Sequence, residues 1–591
     1  MKQICEKLLR EWCGALLKLQ IMNTEQPTLK GGILCPACGM IHGRCFDAIY
    51  PFLYLADTDQ DERYLEAAIL LFEWAEHTVS REDGSYVNDI NSQWKGTTVF
   101  SVIQLIEALR LHGHLLKKRT YEQWKQRVAK AADFLSTFSE FEVCNVNYRI
   151  ACSFALELCA EYFDEERYRI RARELAQLAV PQLTESGLLI GEGRPTDGVS
   201  PRGCRPMDVG YNLEESLPVF LQYAKKVDDC GLQDRIRAVM KRHLLFMLDD
   251  GGMDNSFGTR NYKWTYWGSR TSDGCILGYL LAADQEPDFG IAAYKNLMLL
   301  KACTHEGILY GGLHLYKIRE RPCIHHTFSH AKVLAEILDQ GLASRLRDGQ
   351  LPRGRMKQVE YIRELDTCFI PGADYTATVT AYDWEYVKLP GGHAAGGTLS
   401  LLWHEKAGLI LCAGMSQYSL KEPYNMTFPR FVHHECITPR LVCRNENIIY
   451  SNMYDENCEM RWTNETCGAV VEVQGNLTSL QKQCMYGGEY RIRYGFEDDR
   501  IHVTVHAPEA ARWMLPVISV SQEEVIQENN SVTIRKDNVR IKVIMEQGTM
   551  GLPDGSQRIY NLVPGVEALQ IEMKPVACII AFYLSFCYDN R

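Results

Sequence analysis

A chain of 591 residues exceeds what one ordinary core holds, so two or more domains are expected. Its composition, 46% apolar and 24% charged, is that of a globular protein, and a net charge of −11 argues against nucleic acid or an anionic membrane as the main partner. An anionic substrate stays admissible, because a local basic pocket fits inside an acidic protein.

The N-terminal stretch MKQICEKLLREWCGALLKLQI reads as an amphipathic helix, in which Glu6, Arg10, Glu11 and Lys18 interrupt the apolar centre that a secretory signal needs. No run of about 18 uninterrupted apolar residues occurs, so no membrane-spanning helix is expected. The 22 cysteines are scattered, often inside apolar runs (Cys152, Cys159, Cys275, Cys412), a pattern of buried thiols rather than of a disulfide framework. A cytoplasmic location is the expectation, with a periplasmic or secreted one if a leader has been removed.

Up to about residue 345, apolar residues recur at helical spacing, as in RYLEAAILLFEWAEHTV and ACSFALELCAEYF. Six of these helices follow loops rich in polar, aromatic or glycine residues and start near His42, Lys95, Asn147, Tyr211, Arg270 and His326, at steps of 53, 52, 64, 59 and 56 residues. Such a period fits one helical hairpin per repeat. The six turn mainly apolar after their first turn, as inner helices do, and amphipathic outer helices such as YEQWKQRVAKAADFLSTF lie between them. Residues 1–345 are therefore expected to form an incomplete (α/α)6-type toroid whose inner-helix N-termini, with their positive partial charge, meet at one mouth. Collected there would be His42, Arg44, Trp94, Lys95, Asn147, Tyr148, Arg149, Tyr211, Asn212, Arg270, Asp273, His326 and His330.

A polar, basic stretch around 343–358 marks the linker, placed at 346–366. From 367 to 591 the pattern alternates and is rich in Val, Ile, Thr and Tyr (YRIRYGFEDDRIHVTVHA), as in an antiparallel β-sandwich.

Two local stretches stand out. TRNYKWTYWGSRTSDG, 259–274, combines Tyr262, Trp264, Tyr266 and Trp267 with Arg260, Lys263 and Arg270. Rings stack on the apolar faces of sugars while Arg and Lys hold acidic groups, so it reads as a sugar platform, or else as an aromatic-packed structural loop. CPACGMIHGRC, 35–45, invites zinc through Cys35, Cys38, His42 and Cys45, but the second pair follows too closely for separated knuckles, so no metal or other cofactor is assigned.

An all-helical toroid followed by a β-sandwich resembles the heparinase II/III-like polysaccharide lyases and their alginate and chondroitin lyase relatives. DVGYNLEES, 208–216, is similar to that family's D-G-x-Y-x-E-x-S helix start, with one residue inserted between Asp208 and Gly210. GGHAAGGTLSLLWHEKAGLILCAG, 391–414, resembles the opening of its sandwich, with Ala395 and Gly397 where the family often has a second His and an Asp. NVNYR, 145–149, falls where such enzymes carry the Asn that neutralises a uronate carboxylate. The resemblance implies β-elimination next to a uronic acid on an acidic poly- or oligosaccharide. Tyr211 would be base, acid or both, Asn147 the carboxylate neutraliser, and His326 or His393 the partner, with Arg149, Arg270 or Lys95 binding carboxylates. Two alternatives stand beside it: a glycoside hydrolase using two carboxylates from Asp89, Asp208, Glu214, Glu215 and Asp273, and a non-catalytic carbohydrate-binding protein. A homo-oligomer is left open.

Overall fold

Helical periodicity, once folded, separates into two kinds of burial. The computed structural model describes residues 1–384, 393–416, 433, 435–466, 468–537 and 539–588. Its first helix, α1 (Lys2–Leu19), precedes five helical hairpins: α2 (Ile49–Thr58) with α3 (Glu62–Thr78), α4 (Thr98–His112) with α5 (Lys118–Thr137), α6 (Val146–Phe163) with α7 (Glu166–Ala179), α8 with α9 (Cys230–His243), and α10 (Ile276–Ala282) with α11 (Pro287–Ala302). The helix α8 has three consecutive parts, Val209–Tyr211, a π-helical turn Asn212–Ser216, and Leu217–Lys226. The last helix is α12 (His325–Asp339). α4 buries residues all round its circumference, whereas α5 buries a single stripe led by Trp124, Val128, Ala131 and Leu135, which separates inner from outer helices.

Inner helices touch in the order α2, α4, α6, α8, α10, α12, and α12 packs back onto α2, so the ring closes. Five hairpins written in order would leave α12 without an outer neighbour; α1 lies against it and fills that place. The lumen is nearly filled, with a cavity of about 30 Å³ lined by Tyr50, Phe100, Glu214, Asp273, Lys332 and Glu336 among others.

Beyond the helices the chain becomes sheet. Glu360–Ile362, Thr367–Pro371, Tyr375–Thr380, Thr398–His404 and Gly408–Cys412 form a five-stranded antiparallel meander. It packs face to face on a large antiparallel sheet ending at Ile579–Tyr588. Period two decides the meander's two faces: Cys368, Ile370 and Leu402 enter the core between the sheets, while Phe369, Leu401 and Trp403 enter the helical domain's core. The meander is thus the middle layer.

The stretch expected as linker, 346–366, belongs to this junction. It already contains the strand Glu360–Ile362, and Arg353 within it is buried, donating to Asp254 at 2.8 Å and to the Thr378 hydroxyl at 2.6 Å. Of the GGHAAGG motif, Gly391 and Gly392 lie outside the described residues.

Candidate active site

Asp208 sets the geometry of the mouth. As N-cap of α8 its Oδ1 accepts the Tyr211 N–H at 3.0 Å, and its Oδ2 accepts from Asn255 Nδ2 and the Arg260 N–H, each at 3.0 Å. One carboxylate thereby fixes the helix carrying Tyr211 and the loop carrying Arg260. The π-turn that follows, a feature frequent at functional sites, has both consecutive glutamates buried, Glu214 and Glu215.

Around the Tyr211 phenol the charges converge. Its oxygen lies 2.6 Å from Thr271 Oγ1 and accepts from Lys263 Nζ at 3.2 Å, while the Arg260 guanidinium carbon sits 3.5 Å from the ring centroid. Arg260 donates to Glu192 Oε2 at 3.0 Å; Glu192 Oε1 accepts the Asn147 N–H at 3.1 Å; Asn147 Nδ2 donates to Glu215 Oε2 at 2.8 Å. Burial pushes both glutamates up to about 7: Arg260 opposes this at Glu192, and Asp273 reinforces it at Glu215 against Arg44. Asp273 accepts from Arg44 at 2.9 Å and Lys332 at 2.5 Å; against the cost of burial, Lys332 and Arg44 hold its carboxyl below its ordinary value. Asn147, Tyr211, Arg260, Lys263 and Arg44 thus form one buried network, although the chain separates them by up to 219 positions.

Trp94 and Tyr148 stand edge to face at 5.0 Å, both half-buried, and Tyr148 also packs near Phe100, over which Arg44 lies at 4.4 Å. This pair is an aromatic wall beside the network. Tyr262 is buried, with the Lys263 ammonium 5.8 Å from its ring.

The rest of the aromatic stretch is framework. Trp264, Tyr266 and Trp267 are 0% exposed. Their polar tips go to Met253 O (2.9 Å), Asp250 Oδ2 (2.8 Å) and Tyr310 O (2.8 Å), so no face is open for a sugar. Arg270 donates to Gly311 O and to Leu562 O of the β-domain, tying the domains together. Arg149 donates to Glu142 O, Cys144 O and Leu178 O, and Lys95 pairs with Asp83 in an exposed ion pair. Asn212, adjacent to Tyr211, braces the helices: Nδ2 donates to Leu189 O at 2.7 Å and to His243 Nε2 at 3.1 Å, and burial lowers His243 to about 4, keeping that nitrogen an acceptor.

The histidines divide likewise. His326 Nδ1 meets Arg270 O at 3.1 Å and His330 Nδ1 meets His326 O at 2.8 Å, with the Trp267 ring packed against both imidazoles. Burial, helped at His326 by Arg270, lowers them to about 3 and about 4, so both are neutral. His393 Nε2 lies 2.9 Å from Tyr382 O, and Tyr382 Oη donates to Arg205 O, which attaches His393 to the loop leading into Asp208. His42 is withdrawn from the mouth, its Nε2 3.6 Å from the sulfurs of Cys38 and Cys323.

Residues 9–354 match the ulvan lyase N-terminal domain family and residues 359–586 the ulvan lyase C-terminal domain family. The chain belongs to the ulvan lyase family. A broad-specificity ulvan lyase of Formosa agariphila is 37% identical over 97% of this chain and 92% of its own. The fold is shared with a heparan sulfate lyase of Pedobacter heparinus (12% identity, TM-score 0.52, 99% of this chain and 83% of that one). It is shared equally with a chondroitin AC lyase of Streptomyces coelicolor A3 (11%, 0.52, 100% and 80%). The toroid-plus-sandwich expectation and the lyase expectation both stand, and this ulvan lyase family member is a polysaccharide lyase. The hydrolase and binding-protein alternatives fall with that assignment.

Four members of the mouth's surroundings escape sequence reading: Glu192, Glu215 as the partner of Asn147, Thr271, and His325. His325 is buried beside His42, and burial first, with the charges of Arg44 and Lys263 second, holds its imidazole far below its ordinary value. The signals were there in retrospect: two adjacent glutamates in an otherwise apolar inner helix, and a second histidine beside the chosen one.

Proposed function

We propose that this lyase cleaves an acidic polysaccharide of the ulvan class at the C4–oxygen bond of a uronate, with Tyr211 as the acid–base. The observation that carries the reading is the Tyr211 oxygen held between the Lys263 ammonium and the Thr271 hydroxyl beneath Arg260. The phenolate takes the proton from C5, the C–H electrons form the C4–C5 double bond, the C4–O bond breaks, and the leaving oxygen takes the proton back from the phenol. Lys263 stabilises the phenolate before the transfer, and Lys263 with Arg260 takes up negative charge as it spreads onto the substrate carboxyl group. Asn147, oriented by Glu192 and Glu215, is the third polar contact to that carboxyl group. Trp94 and Tyr148 supply the stacking surface. His393, held at the loop before Asp208, serves the β-domain side of the mouth, and His326 positions Arg270 rather than touching substrate.

The cysteines support a reducing location: no disulfide forms among the 21 described, and most of them are buried.

The test is incubation with ulvan, other uronate-containing polysaccharides and a neutral glycan, following ultraviolet absorbance of the unsaturated product. Absorbance with ulvan, and its loss by about a thousandfold in kcat for Tyr211→Phe with substrate binding retained, is expected. New reducing ends without absorbance, or normal turnover in Tyr211→Phe, would overturn it.

A further inference from the structure

The motif at 35–45 acquires a partner that no sequence reading supplied. Cys35, Cys38 and His42 present their ligand atoms within 4.8 Å of one another. Outside that trio, the nearest further ligand is not Cys45, whose thiol packs against the Ile33 backbone, but Cys323 from the far end of the helical domain, in contact with His42. His42 Nε2 lies 3.6 Å from Cys38 Sγ and 3.6 Å from Cys323 Sγ, and Cys35 neighbours Cys323, Cys38 and His42.

The two S···N separations have a specific meaning. A tetrahedral Zn²⁺ with Zn–S near 2.3 Å and Zn–N near 2.0–2.1 Å has S···N edges of about 3.5–3.6 Å and S···S edges of about 3.8 Å. Three thiols and one imidazole are also the soft ligand set that selects zinc over oxygen-seeking cations. The loop is shaped for it. Cys35 N donates to Met40 O at 2.8 Å, Gly39 N returns to Cys35 O at 2.9 Å, and Gly39 at φ 69° takes the left-handed conformation that turns Cys38 back toward Cys35. Cys35, His42 and Cys323 are buried, as a structural site requires.

We propose that Cys35, Cys38, His42 and Cys323 bind one Zn²⁺ that clasps the toroid shut. His42 directly precedes the 3₁₀ turn Gly43–Ala48 that runs into α2, and Cys323 lies two residues before α12. α2 and α12 meet where the first and last inner helices join, the one junction in the ring that no connecting loop makes. A metal there cross-links residues 281 positions apart. Binding displaces three thiol protons to solvent and leaves the His42 nitrogen neutral, so oxidation state is unchanged. Beside the clasp, His42 packs edge to face on His325 at 5.9 Å.

Elemental analysis of the full-length protein tests this. About one zinc per chain is expected, lost in Cys38→Ser and in Cys323→Ser and kept in Cys45→Ser. The melting temperature should fall on treatment with a strong chelator and recover with added Zn²⁺. If the serine variants do not fold, Co²⁺ exchanged into the wild-type protein decides: intense tetrahedral ligand-field bands with thiolate charge transfer support the clasp. Wild-type protein that takes up neither ion, or zinc that survives Cys323→Ser, would overturn it.

Discussion

Lys263 and Trp264 are neighbours in the chain and do opposite work. One side of 259–274, Arg260, Lys263 and Thr271, surrounds the Tyr211 phenol; the other, Trp264, Tyr266, Trp267 and Arg270, is spent on the frame and the β-domain. The hairpin inside the loop makes the division. Trp264–Thr265 pairs with Gly268–Ser269, and the Arg270 N–H donates to Lys263 O at 2.8 Å, so Lys263 and Arg270 share a backbone contact while their charged tips reach different partners. Tyr211 and Asn212 repeat the pattern on α8, one at the mouth and the other bonded to Leu189 and His243. Composition marks such stretches as unusual; only the fold says which residue serves which side.

The comparison can be broken first at its framework half. Trp267→Ala should cost about 3–5 kcal/mol of stability in urea unfolding, from a lost buried indole and the cavity it leaves. The fraction that remains folded should keep its KM. A raised KM with unchanged stability would restore Trp267 as a sugar platform. On the chemical half, Lys263→Met should lower kcat by about a hundredfold with little change in melting temperature, measured by product absorbance. A loss confined to KM would make Lys263 a binding group only.

The smallest effect sharpens the Tyr211–Asn212 contrast. His243 is lowered to about 4 by burial against an ordinary value of 6.5, so the unfolded chain takes up its proton first as pH falls. Its contribution is present above 6.5 and is lost as pH drops through about 4. Relative to His243→Asn, which cannot titrate, the wild type should lose about 2 kcal/mol between pH 6.5 and 4.5. A pH-independent difference between the two unfolding curves would remove the neutral acceptor from the Asn212 brace.

Much of the architecture was legible in the residues. Six helix starts at similar steps, each followed by a helix apolar all round, announce a ring, because such a helix has no face left for solvent. Alternation announces the sandwich, and Tyr211, Asn147, Arg260 and Lys263 are singled out by chemistry that does assemble. Two kinds of information were missing. Arg270, Arg149 and His326 carry groups suited to a carboxylate, but backbone carbonyls claim them first, and a carbonyl leaves no trace in the side-chain sequence. Glu192 and Cys323 act through partners 68 and 281 positions away, and a separation of that size has no local signature.

The central claim is that Lys263 acts through the Tyr211 oxygen, and a double-mutant cycle on kcat tests it most directly. If the two work mainly as one unit, Tyr211→Phe with Lys263→Met should be slower than Tyr211→Phe alone by far less than the roughly hundredfold that Lys263→Met costs in the wild type. Losses that multiply, with the double variant slower by the product of the two single effects, would contradict it.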